Sequence, residues 1–244
     1  MDFSLHPTVE LPQDDTHSVG GSTRAQRFLD RIAAADFPCV GSKAALARGA
    51  IRTLELGPLG CPHDDARLHS ALAEFAGFVD AQPEASTVVH SFAAVFAGPG
   101  DTDEHRFEAL LWAQLQRLHD IDRARGHAWA DEVSPDPDSP RFSLSLAGHP
   151  FFVIGLHAGA SRLARRFESP VLVFNSHRQF DRLREDGRYS KMQAATRQRD
   201  MALQGSLNPN LADFGMAAET RQYSGRAVEA GWRCPLSIRT GRAH

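Results

Sequence analysis

Cysteine is scarce. Cys39, Cys61 and Cys234 are three in number, scattered, and form no C-x-x-C pair. That excludes a disulfide framework, makes a structural zinc site improbable, and suits a reducing compartment. Long apolar runs are missing as well. The longest, such as Phe151–Leu156, are far too short to span a bilayer. The acidic start, MDFSLHPTVELPQDD, lacks the charged-then-apolar pattern of a secretion signal, so a cytoplasmic protein is expected. No GxxxxGK[ST], GxGxxG after a strand, HExxH or GxSxG is present. Nucleotide-driven, zinc-protease and α/β-hydrolase readings therefore have no support. Lysine is rare too: Lys43 and Lys191 are the only two, so the basic side chains are almost all arginine.

What is present is an ordinary globular composition, 42% hydrophobic and 23% charged over 244 residues. The formal net charge of −3 provides no global field for nucleic acid. The stretch from Arg162 to Arg199 is locally basic, with nine arginines and one lysine against four acids. Arginine binds carboxylate and phosphate bidentately and stays charged when buried. One reading is an anionic ligand held there. The plainer one is helix-surface pairing, Asp181 with Arg184 and Glu185 with Arg188.

Periodicity predicts a flexible N-terminal arm over 1–22 and one domain over 23–244. Helices are expected from a Ser22 or Thr23 cap to Ala35, over Lys43–Ala50 and Asp64–Val79, and over a long stretch capped by Asp101. Further helices are expected over Ser161–Phe167, from a Ser176 cap over Gln179–Asp186, and over Tyr189–Leu203. Strands are expected over Ile51–Leu56, Thr87–Phe96, Phe142–Leu146, Phe151–Leu156 and Pro170–Phe174. Gly148-His149-Pro150 reads as the turn of a hairpin. The fold class is α+β: a central, mostly antiparallel sheet flanked by helices, with a loop-rich tail from Gln204.

Several residues could carry chemistry. His157 closes an apolar strand, where a neutral imidazole can bind iron or zinc or simply bond to backbone. Arg162 and Arg166 fall one turn apart on the expected helix, as a carboxylate clamp or a solvated face. His105 with Glu108 and His119 with Asp122 are spaced three apart, the reverse of a di-iron Glu-x-x-His pattern. Cys39, near Lys43 and a helix start, is either a thiolate or a small buried residue.

The ordered strings Phe37-Pro38-Cys39-Val40, Phe151–His157, Ala160–Phe167, Val173–Phe180, Gln204–Pro209 and Glu219–Arg226 resemble the YqcI/YcgG family, from about Phe37 to Pro235. Members of that family include haem-dependent N-hydroxylases of guanidine groups, of the guanitoxin and D-cycloserine biosynthesis type. The resemblance implies haem b as cofactor, with dioxygen or peroxide as oxidant. It implies an amine or guanidine of a small amino-acid-like molecule as substrate. This chain departs from the family at Ala158, where a proline is expected after the histidine.

On that resemblance His157 is the expected iron ligand, with His177, His149 and Cys39 as substitutes. Arg162, Arg165 and Arg166 would pair with the propionates, and Phe152 and Phe174 would pack on the porphyrin. Glu219 would meet a cationic substrate, oriented by Asn208 and Tyr223. No nucleic acid or membrane partner is expected, and a homodimer is admissible. The competing readings are a haem carrier or sensor without turnover and a non-haem metal oxygenase using His105, Glu108, His119 and Asp122.

Overall fold

The structure is a computed structural model and describes residues 21–83, 85–210 and 217–239. The expected arm over 1–22 lies almost wholly outside the described residues.

The sheet has five strands in the order β1-β2-β5-β4-β3. These are β1 (Ile51–Leu56), β2 (Ser91–Phe96), β3 (Leu144–Leu146), β4 (His149–Leu156) and β5 (Val171–Ser176). Only the β1–β2 pair is parallel. The other three pairs are antiparallel, as the mostly antiparallel expectation required. Among the described residues there are seven helices: α1 (Arg24–Ala33), α2 (Val40–Ala47), α3 (Asp65–Asp80), α4 (Glu104–Ala124), α5 (His177–Glu185), α6 (Arg188–Gln204) and α7 (Thr220–Tyr223). No helix there is long and apolar enough to cross a membrane.

Side chains alternate across each strand, and the alternation splits the core. Phe92, Phe96, Phe151, Val153, Leu172 and Phe174 pack with α3 and α4 residues such as Phe75, Leu111 and Leu115. Ala93, Val95, Leu156 and Val171 pack on the opposite face with Phe28 and Ile32 of α1, and with Phe37.

Three expectations need correction. Asp103, not Asp101, caps α4, its carboxylate accepting the Arg106 N–H at 2.7 Å. The hairpin turn is Ala147-Gly148, both at positive φ (53° and 69°), and His149 already belongs to β4. A two-residue turn with both centres left-handed matches the twist of the flanking strands, and Asp122 steadies it by accepting the Ala147 N–H at 2.7 Å. Finally, only Leu163–Arg165 coils, as a 3-10 turn, with Arg162 and Arg166 extended at its ends. The two arginines therefore share no helical face.

Candidate functional site

A cavity of about 330 Å³ lies on the α1–α2 face of the sheet. That is enough for a small organic ligand. Its floor is Phe152, Ile154 and Leu156 of β4 with Val173 and Asn175 of β5. Because the period is two, Phe151 and Val153 on the same strand turn into the core instead. Its walls come from α1, the Phe37–Cys39 segment, α5, α6, Arg162 and Arg165, and the tail residues Asn208 and Glu219.

Cys39 caps α2 with its sulfur, which accepts the Ser42 N–H at 3.4 Å. A helix start here, three residues earlier than expected, follows from Pro38 ending the extended segment. A sulfur so placed sits at the first turn of α2, beside the backbone donors of that helix.

Arg165 is half-buried, with its guanidinium on three backbone carbonyls: Gly155 at 3.0 Å, Tyr223 at 3.4 Å and Gln222 at 3.1 Å. Desolvation lowers its pKa to about 10, still cationic at neutral pH. Arg162 reaches across to α6, pairing with Asp200 and donating to the Ser206 carbonyl at 2.8 Å.

Glu219 precedes α7, and the Tyr223 hydroxyl bonds to its carboxyl one turn later. The same hydroxyl lies 3.2 Å from the Phe151 carbonyl. Glu219 as a whole is half-buried, but loss of solvent around the carboxyl pushes its pKa up to about 7, against the hydrogen bond from Tyr223. Burial and Glu219 together push the Tyr223 phenol well above its usual range. His177 opens α5, and its Nδ1 lies 3.0 Å from the Asp181 carboxylate. That contact holds Asp181 below the usual carboxylate range despite partial burial.

The structure therefore brings Arg162, Arg165, Phe152, His177, Asn208 and Glu219 around one cavity, together with Cys39. Four expected residues are not on its walls. Tyr223 stands behind Glu219. Phe174 belongs to the opposite face of the sheet, packed on Phe151. Arg166 turns to the Ala160 carbonyl at 2.6 Å. His157 stacks on Phe107 of α4, with its Nδ1 3.3 Å from the Thr102 carbonyl. Burial lowers the pKa of His157, so it is neutral.

His149 is also elsewhere, fully enclosed between Ser176 Oγ at 2.9 Å and Asp80 at 3.0 Å. The four residues of the non-haem reading do not converge. His105 is exposed, Glu108 pairs with Arg226 at 2.7 Å, His119 accepts the Arg239 N–H, and Asp122 holds His69 at 2.7 Å. Of the surface pairs, Arg184 meets Asp181 as expected, whereas Arg188 meets Asp186 rather than Glu185. Asp200 is the wall residue no motif announced. It is one acid inside an arginine-rich helix, and its exposure depends on how α6 packs.

The model of the YqcI/YcgG family matches residues 28–237, and the chain belongs to that family. No curated protein and no solved structure matches it.

Proposed function

We propose that this cavity binds haem b and that the chain N-hydroxylates an amine or guanidine group of a small amino-acid-like substrate. The reading is supported by the resemblance of this YqcI/YcgG chain to haem-dependent guanidine N-hydroxylases of that family. The observation that carries the reading is one apolar-floored cavity joining a helix-capping sulfur, a guanidinium held on three carbonyls and a carboxyl held by Tyr223.

The donor set fits the cofactor. A thiol at a helix N-terminus and an imidazole braced by a carboxylate are both established kinds of iron ligand. Cys39 is the better candidate, because its sulfur caps α2 in the cavity wall. His177 is the alternative, supported by its contact with Asp181. The support for His157 is weaker, since it lies off the cavity wall. Haem bound there would supply the iron on which dioxygen or peroxide is activated.

The chain's own groups do the rest. Arg165 offers a fixed cation to a propionate. Phe152, Ile154 and Leu156 exclude water from the floor. Glu219, with a pKa near 7, can hold or release a proton at neutral pH, and Tyr223 fixes its orientation. Asn208 adds an amide beside them.

The test uses protein reconstituted with hemin and supplied with peroxide, or with dioxygen and a reductant. L-arginine, agmatine and simple amines are screened by mass spectrometry for a product heavier by one oxygen. Glu219→Gln is expected to weaken substrate binding and leave haem loading intact; loss of haem instead sinks that role. A stable haem complex that turns over no amine would make the chain a carrier or sensor.

A further inference from the structure

The Arg162–Asp200 pair is lopsided. One carboxylate oxygen of Asp200, Oδ2, meets the Arg162 guanidinium. Arg162 is also held by Ser206, through its hydroxyl at 3.1 Å and its carbonyl at 2.8 Å. The other oxygen, Oδ1, is buried and meets no hydrogen-bond donor among the described residues. Asp200 is only 8% exposed, so water does not compensate freely. A buried acceptor without a donor costs roughly 1–3 kcal/mol, and native structures leave few of them. Here the residue stands in the cavity wall. Burial, an idle lone pair and a neighbouring void are together what a ligand-recognition group requires.

We propose that Asp200 Oδ1 recognises a cationic N–H group of the ligand that occupies this cavity. An ionised carboxylate in a low-dielectric wall gains most from a charged donor. Arg162, itself held by Ser206, then acts as the positioning residue: it engages Oδ2 and leaves Oδ1 without a donor in the wall that Asp200 contributes to the cavity. The cavity would thus carry two carboxyl groups with different duties. Asp200 binds cationic N–H, and Glu219 is free to exchange a proton. This inference rests on the reading of the cavity as the site for an amine or guanidine substrate, but its test needs no haem.

The experiment is calorimetric titration of the full chain with L-arginine and with L-citrulline, whose ureido group has a similar shape but no charge. Wild type is expected to bind L-arginine more tightly. Asp200→Asn keeps an oxygen for Arg162 and turns an amide N–H₂ to the cavity. It should lower L-arginine affinity at least about tenfold, the usual loss for a buried charge-assisted bond, and leave L-citrulline unchanged. Ser206→Ala loosens Arg162 but keeps the carboxylate, and should retain the preference for the cation. If Asp200→Asn fails to fold, Asp200→Glu keeps the charge while displacing the oxygen, and should bind L-arginine more weakly. Equal losses for both ligands, or unchanged L-arginine binding, overturn the proposal. So does a wild-type chain that does not prefer L-arginine, while the hemin absorption spectrum separately judges the haem reading.

Discussion

His157 lies face to face on Phe107, ring centroids 4.2 Å apart and planes 16° from parallel. Both rings are buried, and the imidazole belongs to the packing between the end of β4 and the start of α4. His157→Ala is expected to destabilise the fold by about 2–4 kcal/mol, through a cavity and the lost contact with the Thr102 carbonyl. Denaturant unfolding measures this. A variant as stable as wild type would contradict the packing role.

The Glu219 carboxyl sets a pH dependence. Its pKa rises from 4.5 unfolded to about 7 folded, so between those values the folded chain holds a proton that the unfolded chain releases. Its contribution is fully present below the lower value and is lost as pH rises through the upper one. Stability from this group should fall by on the order of 3 kcal/mol across that window. Glu219→Gln should flatten that part of the profile, as thermal melts at several pH values will show.

Two backbone positions give opposite predictions. A Cβ added to Gly159 would stand 2.3 Å from the Thr102 carbonyl oxygen, which is backbone and cannot swing aside. Gly159→Ala should cost about 1–3 kcal/mol or more. Ala147 already sits at φ 53°, where an L side chain is strained. Ala147→Gly should stabilise the hairpin by about 1 kcal/mol. Melting temperatures moving in opposite directions would verify both.

The strands and most helices were legible because their periods are clean. β1 lies where the apolar run Ile51–Leu56 put it, and Ser176 caps α5 through the Gln179 N–H. The Arg-rich Ser161–Phe167 stretch was harder. Its arginines look helical by propensity, but Arg162 reaches Asp200 of α6, and Arg165 and Arg166 reach the Gly155 and Ala160 carbonyls. The period also holds a lesson for the site. Phe152, Ile154 and Leu156 share one face, so the odd-numbered His157 had to share the other with Val153. Asp200 had no such signal, since its environment is made by α6 meeting the Arg162 loop.

The central claim is haem in the cavity over β4 and β5. The most direct measurement is the absorption spectrum during hemin titration of wild type, Cys39→Ser, His177→Ala and His157→Ala. The account predicts a saturable Soret band in wild type that shifts or vanishes in Cys39→Ser. It also predicts that the band survives in His157→Ala, once that variant is shown to be folded. A band lost only in His177→Ala would keep the cavity and move the ligand. No saturable band in wild type, or one lost only in folded His157→Ala, would contradict it.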